Sequence, residues 1–196
     1  MSATEADPRR DSILDAARRL FAKLGPQKTT VADIAREAGV GVGTVYLEFQ
    51  SKDAIVSELS GTMHATVIAA MRQTVSGDTL AVTFVRVVEA RTRAFTSFKN
   101  RGEKACELVQ CRSDATRREQ ARFFERERAL YVELFAGAAA RGELGPHDAF
   151  RTAELVQLAL ASLSPPGLFV LPEEDAVARA KDLATLLVAG LLRRMV

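Results

Sequence analysis

The stretch TTVADIAREAGVGVGTVYLEFQSK, residues 29–52, decides how this chain folds. It describes two short helices joined by a glycine turn. Thr30-Val31-Ala32-Asp33 is a capping box, in which the threonine hydroxyl takes an early backbone N–H and the acid three residues on reaches back to the cap. Ile34, Ala38, Val40, Val45 and Phe49 are the apolar positions, and Ala35 is small enough for a close helix crossing. Gly39 stands where the first helix must stop and the backbone must tolerate positive φ. The second helix then turns Val42, Gly43, Thr44, Tyr46 and Leu47 outward. Such a pair is the geometry that lays a helix in the major groove of duplex DNA.

Side chains on that outer surface divide into two jobs. Thr44 and Tyr46 carry hydroxyls that can donate to phosphate oxygens. Lys52 opens the next helix, where an ammonium and free backbone N–H groups can meet one phosphate. Thr29 or Thr30 fits the matching place on the other wall of the groove. Val42 and Leu47 have nothing to hydrogen-bond a base edge with, but either can pack on thymine methyl groups. Gly43 lets the backbone approach closely, and Lys28 or Arg36 can supplement. Two readings of Leu47 stay open: it touches bases, or it caps the small core from outside. The run from Gly39 to Thr44 is not a phosphate loop, because its glycine spacing is wrong and no strand precedes it.

The same run resembles the helix-turn-helix of TetR-family transcriptional regulators: a "TT" cap, an "ADIA…AGV" helix, then "GTVYxxFxSKDAI". Gly43, Thr44, Val45, Tyr46, Phe49 and Lys52 match the family's spacing, and the resemblance is specific over about residues 8–60. It implies an all-helical homodimer with an N-terminal DNA-binding domain and a larger domain whose ligand releases the DNA. In the family, the positions of the threonines, Tyr46 and Lys52 touch the DNA backbone. The expected domains are 8–56, with the motif at about 31–50, and a ligand-binding and dimerisation domain at 57–196.

Composition agrees with a helical protein of ordinary solubility. The 196 residues are 47% hydrophobic and 27% charged, with a formal net charge of +2. Residues 1–55 carry eight basic and eight acidic side chains, so any positive surface must come from arrangement. No stretch is expected to reach membrane-span length; the richest apolar run, 183–192, is short and holds Thr185 and Gly190. The start, MSATEADPRR, has no apolar signal core, and a cytoplasmic protein is expected. Cys106 and Cys111 are too few and too close for a disulfide framework, and packing is their expected role.

Helical periodicity runs through the rest, about nine helices in all, and no segment alternates with period two. The first helix is expected from Ser12, with a Ser12/Asp15 capping box, to Leu24. A long fourth helix follows from Lys52 to about Ser76, then helices over 79–98, 103–112 and 114–141. Glu119/Arg122 and Glu125/Arg128 are expected on the solvent face of the last. Helices at 150–163 and 176–192 are apolar nearly all round, which suits burial of one face at home and another against a second copy.

Arg91 falls on the apolar stripe of its helix, and a buried guanidinium needs a carboxylate. Either it binds an acidic or carbonyl-bearing effector in a cavity lined by Phe95, Phe98, Phe124 and Tyr131, or it pairs with Glu89 or Glu107 or reaches solvent. His64 reads as a core histidine and His147 as exposed; no spacing suggests a metal site, a catalytic set or a cofactor. The expected partners are a pseudo-palindromic DNA duplex, a second copy through the last two helices, and a small-molecule effector of unknown identity, with no membrane. A helical adaptor or ligand-binding bundle that never touches DNA is the alternative.

Overall fold

Periodicity at 3.6 residues is realised along the described residues, and the result is all-α. The computed structural model describes residues 8–101, 104, 106–110, 113–145 and 147–193. Among them run nine α-helices: α1 Pro8–Leu24, α2 Val31–Ala38, α3 Val42–Glu48, α4 Lys52–Gln73, α5 Leu80–Thr96, α6 Glu107–Gln110, α7 Asp114–Ala140, α8 Ala149–Ala159 and α9 Glu173–Arg193. Short 3-10 turns follow α5 and α8, so the expected helix at 150–163 is α-helical only to Ala159. Cys111 lies outside the described residues. Cys106 is a half-buried free thiol whose pKa is pushed up by burial.

The described residues divide into two compact units, one up to Met63 together with 98–120, the other 64–97 with 121–193. In the first, Ile13, Ala16, Ala17 and Phe21 of α1 are buried with Ile34 and Ala35 of α2, Val45 of α3, and Ile55, Val56 and Leu59 of α4. The start of α1 differs from expectation. Pro8, a residue suited to a first helical turn, already lies in the helix, so Ser12 is interior and donates to Ala38 O at 3.4 Å. Asp15 pairs with Arg18 instead of capping.

Two sites at the edge of this unit join distant parts of the chain. The backbone turns at Gly25 with φ 83°, and the Glu107 carboxylate occupies the space a Cβ there would need. Lys104 N donates to Ala22 O at 2.8 Å. Glu119, expected on a solvent face, is buried instead; it accepts from Ser57 Oγ at 2.8 Å and lies against Gly61, the one place on α4 with no Cβ to exclude it.

In the second unit α5 has its most extensive contact with α9. Ala176, Ala180, Ala184 and Val188 recur every four residues and are all buried, so α9 presents one ridge of small side chains. Rings fill the rest: His64 stacks on Phe123 at 5.0 Å, and Phe84, Tyr131 and Phe135 form a second cluster. Lys52–Gln73 and Ala149–Val170 are each 22 residues long and contain 18-residue stretches of mean hydropathy 1.2 and 1.3, so the expectation that no segment reaches span length is corrected. Half of the first is buried among its neighbours, and the second is broken by 3-10 turns on either side of Pro165-Pro166.

Arg91 is 1% exposed and pairs with Glu127, not with Glu89 or Glu107. Glu89 lies two residues away, about 200° round α5, and Glu107 is beside Gly25 in the first unit. Arg91 Nη1 donates to Leu163 O and Nη2 to Ser164 Oγ, both at 2.8 Å. Gln157 Nε2 donates to the second Glu127 oxygen at 2.7 Å and to Phe124 O at 2.9 Å. Burial opposes the charge on Arg91, but the Glu127 carboxylate more than offsets it, and the guanidinium pKa lies above its ordinary value. Tyr131 is raised well above the usual phenol range, by burial first and by Glu127 second.

Removing one member of a buried pair strands the other. Arg91→Met is therefore expected to lower unfolding stability by about 3–5 kcal/mol, and Arg91→Met combined with Glu127→Leu by much less. Urea unfolding followed by circular dichroism checks both; additive losses would mean that the two side chains are not a unit.

Candidate nucleic-acid interface

A capping box predicted from four letters is present in full. Thr30 Oγ1 accepts from Asp33 N at 3.1 Å, while Asp33 Oδ2 accepts from Thr30 N at 3.0 Å and from Thr30 Oγ1 at 2.6 Å. These donations, with Arg36 nearby, hold the Asp33 carboxyl below the usual carboxylate range. Helix α2 ends at Gly39, φ 70°, whose N–H bonds back into the last turn, and Val40 N closes on Ala35 O at 3.0 Å. Gly41 then opens α3 in extended geometry, with no side-chain cap.

Helix α3 is held from behind. Val45 is 1% exposed and Phe49 3%. The Arg10 guanidinium lies 4.1 Å over the Phe49 ring, donates to Glu48 O at 3.1 Å and pairs with Glu58 of α4. A cation on the last carbonyls of a helix also suits the helix dipole. Beyond the helix, Lys52 Nζ donates to Pro26 O at 2.8 Å and to Thr29 O at 2.9 Å, which fastens the first residue of α4 to the α1–α2 loop. Arg19 and Glu37 join α1 to α2 at 2.8 Å.

What remains outside is mostly carbon. Leu47 is 86% exposed, Tyr46 54% and Val42 42%, so Leu47 does not cap the small core. Gly43 is exposed with open space around it, and Thr44 is half-buried. Helix α3 carries no lysine or arginine; Lys28 is exposed nearby, and Arg36 is 3.5 Å from Asp33.

Sequence-derived positions are thus sorted by geometry. Thr30, Val42, Gly43, Tyr46 and Leu47 are accessible, and Lys52 is half-buried between two carbonyls. Thr29 is a correction: it is fully buried, its hydroxyl donates to Gly25 O at 2.9 Å, and it has no access to a phosphate. Arg10 and Glu58 were not identified from the sequence, because a pair 48 residues apart leaves no local spacing. Of the effector residues, Arg91, Phe95 and Tyr131 surround the Glu127 pair, with Arg91 5.1 Å from the Phe95 ring. Phe124 lends its carbonyl to Gln157, and Phe98 is buried in the first unit. A cavity of about 400 Å³ in the second unit is lined elsewhere, by Arg72, Val75, Ser76, Leu130, Glu133 and neighbours. Among the described residues no three His, Cys, Asp or Glu side chains gather as a metal site.

Capped helix, glycine turn and outward second helix together define a helix-turn-helix DNA-binding regulator. Residues 13–59 match the family model for bacterial regulatory proteins of the tetR family. The chain is 32% identical over 161 residues to the HTH-type transcriptional regulator TtgR of Pseudomonas putida, covering 76% of this chain and 75% of that protein. It is 47% identical over 51 residues to the HTH-type transcriptional repressor KstR2 of Rhodococcus jostii, about a quarter of each chain. Its fold matches the regulator FadR from Bacillus subtilis in complex with stearoyl-CoA, with a TM-score of 0.71, 20% identity, and 92% and 98% of the two chains covered. The chain belongs to the TetR family of transcriptional regulators.

Two measurements test this assembly. Thr29→Val is expected to lower unfolding stability by about 1–3 kcal/mol, because the Gly25 carbonyl loses its buried donor; a loss confined to DNA affinity would return Thr29 to the contact surface. Asp33 has a folded-state pKa below its unfolded value, so its capping contribution is fully present above about pH 4 and is lost as pH falls through the lowered value. A carboxyl-carbon NMR titration should place the Asp33 inflection below that of an unstructured aspartate, and Thr30→Val should raise it.

Proposed function

We propose that this regulator is a ligand-responsive repressor that binds a pseudo-palindromic operator as a homodimer in the cytoplasm. The observation that carries the reading is the rigidly backed α3, which turns Val42, Tyr46 and above all Leu47 toward solvent. Thr30, Thr44, Tyr46 and Lys52 are the phosphate contacts, and Val42, Gly43 and Leu47 face the bases. Functionally, residues 8–56 bind DNA, and 57–196 bind the effector and the second copy.

Dimerisation through α8 and α9 is supported by apolar side chains left in water. Leu155 and Leu158 of α8 are 47% and 65% exposed, and Leu186 of α9 is 71% exposed. A second copy would cover them, and two α3 helices would then meet half-sites about one helical turn apart. Repression accords with the name of the KstR2 relative, and an effector accords with the acyl-CoA held by FadR. Its proposed place is within the second unit, among Arg91, Phe95, Phe124 and Tyr131. An effector acts by favouring an arrangement in which the two α3 helices no longer fit one duplex, with a coupling of about 1–3 kcal/mol.

Sedimentation equilibrium and fluorescence anisotropy with the DNA upstream of its own gene test the proposal together. The wild type should sediment as a dimer and lose affinity as salt is raised. Leu158→Glu with Leu186→Glu should give monomers that keep their helicity and bind the duplex at least about a hundredfold more weakly, since linked half-site binding is lost. A monomeric wild type, or binding indifferent to salt, would count against it.

A further inference from the structure

The surface α3 offers to DNA is almost devoid of hydrogen-bonding groups suited to a base edge. Its sequence is VGTVYLE; Thr44 and Glu48 are half-buried, and the Thr44 and Tyr46 hydroxyls are the proposed phosphate contacts, which leaves Val42, Gly43 and Leu47 on the exposed face. Leu47 projects furthest, at 86% exposure, four residues after Gly43. Gly43, one turn earlier on the same face, adds no side chain, and nothing, Leu47 included, lies within 4 Å of where a Cβ would stand, so the Leu47 side chain stands clear of its own subunit. Val42 and Tyr46 flank this patch, 42% and 54% exposed.

In the major groove of unmodified DNA one base carries a carbon group, the C5-methyl of thymine. Leucine pressed on a guanine or cytosine edge would instead strip water from donors and acceptors and return nothing. We propose that Leu47 reads the C5-methyl group itself, so that each half-site holds a thymine opposite Leu47 and 5-methylcytosine at that position serves in its place. Cytosine and uracil, which lack the methyl, do not. The regulator is thereby sensitive to cytosine C5-methylation of its operator. This rests on the DNA-binding reading above and adds the chemical group that is recognised.

The test uses the full chain and a random duplex library, from which bound DNA is selected and sequenced. Anisotropy titrations then compare the selected duplex with copies carrying deoxyuridine for each thymidine in turn. One or two positions per half-site should lose about fourfold in affinity per methyl removed, and symmetric replacement on the order of fifteenfold. A cytosine–guanine pair there should bind weakly and recover when the cytosine is C5-methylated. Leu47→Ala, at a position 86% exposed in its own subunit, should unfold like the wild type and no longer distinguish thymine from uracil. Equal binding of thymine and uracil at every position, or discrimination that survives Leu47→Ala, overturns the proposal. A library that enriches no duplex overturns the DNA-binding reading itself, and this inference with it.

Discussion

A seven-residue helix with no side-chain cap at its start does not hold together in water, because nucleation costs more than two turns can return. Everything α3 does therefore depends on what is fastened behind it. Val45 and Phe49 supply buried area, worth about 1.5–3 kcal/mol each, and Arg10 closes the C-terminal end against both ring and carbonyl. Lys52 fixes the chain where it leaves. The Lys52 ammonium, a proposed phosphate contact, spends two of its three donors on the Pro26 and Thr29 carbonyls, and so also sets where α4 begins.

How much of this was legible in the letters follows the range of the forces. The Thr30/Asp33 box and the left-handed Gly39 are fixed by neighbours within five residues and came out as read, and the outward Val42–Tyr46–Leu47 surface was legible because Val45 and Phe49 mark the opposite face of the same short helix. Ser12 misled because the same capping pattern occurs inside a helix when Pro8 has already started it. Glu119 misled because an acid facing water and an acid facing Gly61 have the same helical spacing. Thr29 could not be told from Thr30 by pattern; only the fold of the α1–α2 loop turns one inward and one outward. Arg10 with Glu58 and Arg91 with Glu127 are tens of residues apart, and no periodicity encodes such a meeting.

The second unit pays for an ionic core with a complete set of partners. Glu127 is met by Arg91 on one oxygen and Gln157 on the other, and Arg91 reaches Leu163 O and Ser164 just after α8. A buried pair of this kind adds little net stability over well-packed leucines. Its effect is to define register: α5, α7 and the end of α8 have one arrangement in which Arg91 and Gln157 each meet one Glu127 oxygen. That is a useful property for a body expected to hold a small number of discrete conformations.

The carbon surface of α3 separates two quantities that most DNA-binding proteins adjust together. Counterion release makes phosphate gripping fall steeply with ionic strength, whereas contact between leucine and a methyl group carries no charge to screen. When the cell interior concentrates, such a regulator would loosen from every sequence in proportion, and its ranking of sites would stay as it was. Osmotic stress would then change how many operators are occupied, not which.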